Sequence, residues 1–146
     1  MDRLYSPWRY RYVSNTSQPA TGCVLCAAAA NEPLVVARGE AVFVILNLYP
    51  YNSGHLMVVP NRHVASLAQL GGEELSELMA YVRRAEIALN EVYQPQGINV
   101  GLNLGRAAGA GIADHLHIHL VPRWVGDTNF RSVVGETRVL PEEEPA

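Results

Sequence analysis

The sequence predicts an α+β domain with a mainly antiparallel sheet. Short apolar or alternating segments, which are typical of strands, lie on both sides of one long stretch with helical spacing. Their order is three strands, a long helix and two further strands. With 146 residues, of which 49% are hydrophobic and 17% charged, the chain is long enough for one domain with a sizeable core.

The two ends of the chain differ from this pattern. Residues 1–22 form an arm and a polar linker, and residues 1–13 interleave arginines with tyrosines and a tryptophan. The arm could bind phosphates or bases through charge and stacking. Packing of its aromatic rings on the domain or on a second subunit is favoured, because the short linker leads directly into the core. The folded domain is expected over residues 23–134, followed by a flexible acidic tail over residues 135–146.

The first half of the domain reads as one short helical turn and three strands. Cys23 and Cys26 open an alanine run that favours a helical turn. The expected strands are Leu34-Val35-Val36-Ala37, residues 41–46 and residues 55–60, the last ended by Pro60. A hairpin turn is expected at residues 38–40 and a loop at residues 47–54.

The second half begins with an amphipathic helix of about five turns, which ends before Pro95 and Gly97. The apolar residues with helical spacing are Leu75, Leu78, Met79, Val82, Leu89 and Val92. We expect this helix to cover one face of the sheet. A strand over residues 98–104 and a small-residue loop over residues 105–113 follow.

The segment from Asp114 to Trp124 carries three of the five histidines, at alternate positions between aliphatic residues. Period-two alternation predicts a half-buried strand, with His115, His117 and His119 on one face and neighbouring imidazoles roughly 6.5–7 Å apart. Crowded titratable groups usually mark a site. The alternative is a solvent-facing strand that is merely rich in histidine.

A glycine-rich loop directly precedes the histidines. Its glycines, Gly105, Gly109 and Gly111, would let backbone N–H groups line a phosphate, although a plain turn would look the same. The nearby Arg106 and Arg123 favour the phosphate interpretation. A neutral imidazole, with an ordinary pKa of roughly 6.5, is a competent nucleophile toward phosphorus. The segment therefore predicts phosphoryl or nucleotidyl transfer through a phosphohistidine.

The pair Cys23-x-x-Cys26 indicates metal or redox chemistry. The three histidines of the strand are spaced too widely to bind one zinc ion together, but one of them could join the two cysteines and His63 in a closed tetrahedral structural site. A thioredoxin-type redox pair is the alternative, and it lacks the βαβ context that such pairs require. Zinc is favoured.

Charge and composition exclude several other classes. The net charge of −3 gives no electrostatic reason to expect a nucleic-acid partner. All eleven basic residues are arginine, which excludes a Walker-type lysine or a Schiff-base mechanism from this chain. No apolar run approaches membrane-spanning length, and the N-terminus has no signal-peptide core. We expect a cytoplasmic protein with no membrane partner.

The motif His115-Leu-His117-Ile-His119-Leu-Val resembles the signature of the histidine triad (HIT) superfamily of nucleotide hydrolases and transferases. Residues 47–63 are similar to the family's earlier block, with Gly54-His55 before a strand and Pro60-x-x-His63 after it. The paired cysteines resemble those of many bacterial members. The resemblance covers roughly residues 23–130. It implies a HIT-like fold, namely a five-stranded, mainly antiparallel sheet with one long and one short helix, extended across a homodimer.

The resemblance also implies roles for individual residues. His117 would be the nucleophile that attacks the α-phosphate and forms a nucleotidyl-imidazole intermediate. His119 would hydrogen-bond the phosphate or the leaving group, and His55 would orient the triad. The implied nucleotide-binding residues are Asn47 at the ribose, and Asn103, Gly109 and Gly111 along the phosphates. The implied ligands of a structural zinc ion are Cys23, Cys26, His63 and His115, and no organic cofactor is expected.

Many members carry glutamine where this chain has Gly111. A bacterial subgroup that acts as diadenosine tetraphosphate phosphorylases is similar to this chain in its small residue at position 111, in segments 103–105 and 122–130 and in the opening Arg3-Leu-Tyr5-x-Pro7. Its members tend to have serine where this chain has Gly111. The implied reaction is cleavage of a dinucleoside polyphosphate, with inorganic phosphate as acceptor. A hydrolase of dinucleoside polyphosphates or nucleoside phosphoramidates, and a nucleotide-binding protein with little turnover, are the alternatives.

Overall fold

The computed structural model describes residues 22–31, 33–47, 54–110, 112 and 114–126. The helices and strands in these residues are α1 (Val24–Asn31), β1 (Val35–Arg38), β2 (Val42–Leu46), β3 (Leu56–Pro60), α2 (Gly72–Tyr93), β4 (Gly97–Gly101) and β5 (Ile118–Arg123). Short 3₁₀ turns lie at Leu67–Gln69 and Arg106–Ala108. The predictions for the arm, for Gly111 and for the acidic tail fall outside the described residues. None of the helices described is long and apolar enough to cross a membrane.

The strands of the described residues form one five-stranded sheet in the order β1-β2-β3-β5-β4, and every neighbouring pair is antiparallel. The predicted α+β class, with one long and one short helix, is therefore confirmed. β5, which contains His119, lies inside the sheet between β3 and β4. Side chains that project from the start of β5 can therefore meet side chains from β3.

The two faces of the sheet carry separate hydrophobic cores because strand side chains alternate. On one face, Val42, Val44, Val58 and Leu120 pack with α2, and we call this the α2 face. On the other, Phe43, Ile45, Met57 and Val59 pack with Leu25 and Ala28 of α1, and we call this the α1 face. His119 alternates with Ile118 and Leu120, which belong to the α2 face, and it pairs with Met57. His119 therefore projects from the α1 face.

The long helix covers the sheet as predicted, but its buried stripe differs in part from the one read from the sequence. The buried residues of α2 are Leu78, Val82, Ala85 and Leu89. Met79, which was predicted to face the core, is 53% exposed because it follows Leu78 and points about 100° away around the helix axis. Leu75 and Val92 are also exposed, and they lie in the first and last turns.

The predicted hairpin turn between β1 and β2 is bound by the side of α2. The Glu77 carboxylate accepts hydrogen bonds from the N–H groups of Glu40, at 2.9 Å, and Ala41. The Tyr81 hydroxyl donates to the Arg38 carbonyl at 3.2 Å. A Cβ atom at Gly39 would lie 2.6 Å from Glu77 Oε1 and 2.8 Å from the Tyr81 ring, so a larger residue there would displace the side chains that bind the turn.

The last turn of α2 packs against the entrance to β3. Gly54 has φ +81°, and a Cβ atom there would lie 2.7 Å from the Tyr93 ring and 3.2 Å from Leu89. Glycine satisfies both the backbone conformation and the close contact. His55 is the next residue, so this contact sets where the first candidate site histidine enters the sheet.

Candidate active site and metal site

The histidine segment is less regular than the predicted strand over residues 114–124. β5 begins only at Ile118, so His115 and His117 precede it. The Leu116 N–H donates to the Val64 carbonyl at 2.7 Å, a bond to the chain beyond β3. His115 and His117 are 0% and 8% exposed, so the half-buried strand predicted here is wrong for this part. β4 is likewise shorter than the predicted strand over residues 98–104. It ends at Gly101, which pairs with His119 near the start of β5.

Cys23, Cys26, His63 and His115 come together as predicted. One candidate ligand atom from each lies within 4.8 Å of all the others. The Cys23 Sγ–His115 Nδ1 distance is 3.3 Å, and Cys26 Sγ lies 3.4 Å from the Nδ1 atoms of both histidines. Ligand atoms of a tetrahedral zinc ion are separated by about 3.3–3.8 Å, given the usual Zn–N and Zn–S bond lengths. The cluster therefore has the size and the donor set of a closed Cys₂His₂ site.

The ring of His115 is held in one tautomer. Its Nε2 lies 2.8 Å from the Pro60 carbonyl oxygen, which can only accept, so Nε2 carries the proton. Nδ1 then presents its lone pair to the two thiols. Burial lowers the pKa of His115, the Pro60 bond raises it, and nearby His63 lowers it further. A neutral imidazole fixed by a carbonyl through its second nitrogen is the usual arrangement of a metal-ligating histidine.

The thiols favour a metal for a complementary reason. Burial raises the pKa of Cys26, and the hydrogen bond and charge of neighbouring Cys23 raise it further. Two thiols so close resist becoming two thiolates unless a cation offsets the repulsion. The residues present thus fit a metal ion by distance, by tautomer and by charge.

His117 holds the opposite tautomer. Its Nδ1 donates to the His115 carbonyl oxygen at 2.8 Å, which leaves the lone pair on Nε2. Burial lowers the pKa of His117, the hydrogen bond to His115 raises it, and the charge of His115 lowers it. With burial as the largest contribution, the imidazole is neutral at pH 7 and its Nε2 can act as a nucleophile.

His119 and His55 form a hydrogen-bonded pair beside His117. His55 Nε2 lies 2.8 Å from His119 Nδ1, and the His117 and His119 ring centroids are 4.8 Å apart in an edge-to-face arrangement. His55 is 1% exposed, so the pair is anchored in the protein interior. His119 is therefore oriented by its hydrogen bond to the buried His55, and its ring contacts the ring of His117, which carries the candidate nucleophile.

Asn47, Asn103 and Gly109, which were also predicted to bind the nucleotide, lie in connections between secondary-structure elements. Asn47 Nδ2 lies 3.3 Å from both ring nitrogens of His55, and the Asn47 N–H donates to the His55 carbonyl at 3.0 Å. Asn103 Nδ2 donates to the Gly109 carbonyl at 3.4 Å, and the Gly109 N–H donates to the Arg106 carbonyl. Asn103 thus braces the glycine-rich loop. Its role toward phosphate, and that of Gly109, stay predictions.

Two groups that organise the site have no signature in the sequence. The carbonyl oxygens of Pro60 and His115 select the tautomers of His115 and His117, and every residue has such an oxygen. The proline that ends β3 and the alternating histidines indicate the region in the sequence. Only the folded backbone identifies which carbonyl meets which ring nitrogen.

Comparison with known proteins agrees with this geometry. The HIT domain family matches residues 29–125. The chain is 44% identical to a protein of Mycobacterium tuberculosis named AP-4-A phosphorylase, over 97% of this chain and 78% of that protein. It is 34% identical to an asymmetrical bis(5'-nucleosyl)-tetraphosphatase of Schizosaccharomyces pombe, over 68% of this chain and 54% of that protein. A solved structure of a zinc-bound histidine triad family protein from Mycobacterium smegmatis superposes with a TM-score of 0.66 at 30% identity, over 75% of this chain and 81% of that one.

Proposed function

This chain belongs to the HIT domain family, and we propose that it cleaves dinucleoside polyphosphates such as diadenosine tetraphosphate by nucleotidyl transfer through His117. Family membership confirms the resemblance of the His115–Val121 motif. The similarity to the mycobacterial AP-4-A phosphorylase supports the substrate class and inorganic phosphate as acceptor.

The observation that carries the proposal is the hydrogen bond from His117 Nδ1 to the His115 carbonyl. It keeps the lone pair on Nε2, and burial keeps that nitrogen unprotonated at neutral pH. Nε2 attacks the α-phosphorus, and the bond from that phosphorus to the bridging oxygen breaks. With diadenosine tetraphosphate, His117 carries the adenylyl group and ATP leaves.

His119 assists at the departing oxygen. Its Nδ1 is engaged with His55 Nε2, so its other ring nitrogen is the one that can donate a hydrogen bond to the leaving group. Inorganic phosphate then attacks the adenylyl phosphorus and releases the His117 nitrogen, and the product is ADP. Asn47 at the ribose, and Asn103, Gly109 and Gly111 along the phosphates, complete the proposed binding site.

The proposed metal is zinc, held by Cys23, Cys26, His63 and His115. The distances within the cluster and the zinc-bound relative from Mycobacterium smegmatis support this choice. Four protein ligands close a tetrahedral ion, so its role is structural and it leaves no position for substrate. No organic cofactor is required by the proposed steps.

We further propose that the folded domain spans residues 23–134 and that the protein is a cytoplasmic homodimer without nucleic-acid or membrane partners. β4 is an edge strand of the described sheet, and its Val100 is 45% exposed, which suits pairing with a second copy. Light scattering at micromolar concentration tests the dimer, and a monomer there would contradict it.

The decisive experiment uses diadenosine tetraphosphate with and without ³²P-labelled inorganic phosphate. We expect phosphate-dependent formation of ADP and ATP, with label in the β-phosphate of ADP alone, because the new bond joins phosphate to the adenylyl group. A His117→Ala protein is the matched control. Absence of turnover on this substrate and on an adenosine phosphoramidate would sink the enzyme proposal.

Water is the alternative acceptor, and the similarity to the Schizosaccharomyces pombe tetraphosphatase favours it as the second candidate. The same assay separates the two, since a hydrolase gives AMP and ATP without phosphate. Preferential turnover of the phosphoramidate would instead indicate a nucleoside phosphoramidate hydrolase. Tight nucleotide binding without any turnover would indicate a binding protein.

A further inference from the structure

We propose that metal ligation by Cys23, Cys26, His63 and His115 positions the nucleophilic nitrogen of His117, acting through the backbone carbonyl of His115. The metal cluster would then act on His117 only through the backbone, and His115 is a positioning residue. The inference rests on the proposed function for its kinetic consequence, but its structural consequence can be measured without any substrate.

His115 serves both sites at once. Its imidazole is held at Nε2 by the Pro60 carbonyl, at 2.8 Å, and its Nδ1 lies 3.3 Å from Cys23 Sγ and 3.4 Å from Cys26 Sγ. Its carbonyl oxygen lies 2.8 Å from His117 Nδ1. A rotation of the backbone at His115 would therefore change both the ligand geometry and the acceptor that selects the His117 tautomer.

The backbone around His115 has few constraints from the sheet, because β5 begins three residues later at Ile118. The described backbone bond in this stretch is Leu116 N–H to the Val64 carbonyl, at 2.7 Å. The two histidine ligands flank it, since His63 precedes Val64 and His115 precedes Leu116. An ion bound to both histidines would clamp the same two segments that this single bond joins.

Loss of that clamp has a specific chemical effect. If the His115 carbonyl turns away, the His117 proton can move from Nδ1 to Nε2. The lone pair then lies on Nδ1, and Nε2 has none with which to attack phosphorus. Loss of an outer partner that orients a functional histidine typically reduces activity 10–100-fold. We expect a fall in kcat of about tenfold, with KM nearly unchanged because the substrate contacts remain.

The test uses a His63→Asn protein, since His63 is the exposed ligand and its removal leaves no cavity in the core. Uniform ¹⁵N-histidine labelling and long-range ¹⁵N–¹H spectra report the tautomer of His117 directly. In the zinc-loaded parent we expect the Nδ1–H form. In the zinc-depleted variant we expect a mixture of both tautomers, which returns to Nδ1–H as zinc is added, with kcat rising over the same zinc concentrations.

A Glu77→Gln protein is the control. It weakens the bonds of α2 to the β1–β2 turn, far along the chain from the histidines, and is expected to keep the Nδ1–H signal and kcat. If zinc dissociates from His63→Asn while the His117 signal and kcat remain those of the parent, the inference is wrong. Zinc affinity equal to that of the parent would also overturn it, because His63 would then not be a ligand. If the parent shows no turnover, the proposed function fails while the tautomer result still stands or falls on its own.

Discussion

His115 and His117 stand two residues apart, yet the fold gives them opposite chemistry. The Pro60 carbonyl oxygen contacts Nε2 of His115, so the lone pair of that ring remains on Nδ1. The His115 carbonyl oxygen contacts Nδ1 of His117, so the lone pair of that ring remains on Nε2. The His115 ring therefore turns its lone pair to two thiols, and the His117 ring keeps its lone pair on the nitrogen that we propose attacks phosphorus. The second partner of each imidazole, which is here a backbone oxygen, therefore decides which ring nitrogen is available to a metal ion or to a substrate.

Replacing His117 by alanine should abolish catalysis without affecting the proposed metal site, and it has the largest expected effect. The proposed nucleophile is lost, so kcat should fall by about 10⁴-fold or more. Zinc content, measured by atomic emission, should stay at the parent value because the His117 side chain contacts none of the sulfur atoms among the described bonds. More than a tenth of the parent activity would remove His117 from its proposed role.

Cys26→Ser removes one ligand of the proposed zinc site. Cys26 Sγ lies near both histidine ligands, so its loss should lower zinc affinity at least about 100-fold. Each 100-fold loss lowers the free energy of unfolding by about 2.7 kcal/mol under conditions where zinc saturates the native protein. Thermal unfolding with and without added zinc measures this. A stability that does not respond to zinc in the parent protein would argue against a structural ion.

His55→Gln tests the hydrogen bond that holds His119 beside His117. His55 positions His119 through a 2.8 Å bond, so we expect a 10–100-fold lower kcat, an altered pH profile of kcat/KM, and normal zinc content. The pH profile matters because a purely structural defect would lower the rate at every pH by the same factor. An unchanged profile would mean that His55 does not tune His119.

Glu74→Gln should affect neither the proposed active site nor the proposed zinc site, and it has the smallest expected effect. Arg62 binds both carboxylate oxygens of Glu74, at 2.8 and 2.9 Å. This ion pair is the largest cause that lowers the pKa of Glu74 to about 2, and the Gly71 N–H that donates to the same carboxylate contributes next. Since the pKa is depressed in the fold, the ion pair contributes fully above pH 4.5 and is lost as pH falls toward 2.

We therefore expect the variant to melt on the order of 2 °C lower at pH 7, with the difference shrinking below pH 4.5. Glu73→Gln removes the same charge in the same helical turn and is the control. A constant difference at pH 7 and pH 2 would show that the ion pair is not its source.

The sequence predicted much of this arrangement because the informative residues carry their own chemistry. Cys23, Cys26, His63 and His115 have the side chains that metals bind, and the period of two around His117 placed the aliphatic neighbours in the core. The predicted single face of three histidines was less accurate, since the bond from Leu116 to Val64 takes His115 out of the sheet before β5 starts.

Other contacts could not have been predicted because their partners are distant in sequence. Glu77 lies 36 residues from the Ala41 N–H that it accepts from, and a glutamate on a helix ordinarily faces solvent. The same holds for Tyr81, whose hydroxyl reaches the Arg38 carbonyl. Such bonds follow from how α2 lies across the sheet, which the helical period alone does not specify.

The contact between Gly54 and Tyr93 has a consequence for how this chain tolerates mutation. Position 54 carries no functional group, yet any side chain there must displace the Tyr93 ring or the backbone just before His55. In a saturation screen scored on activity, position 54 should therefore behave like a catalytic position. A map of intolerant positions would then extend from the histidines to the end of α2, and so would overstate the size of the reactive centre.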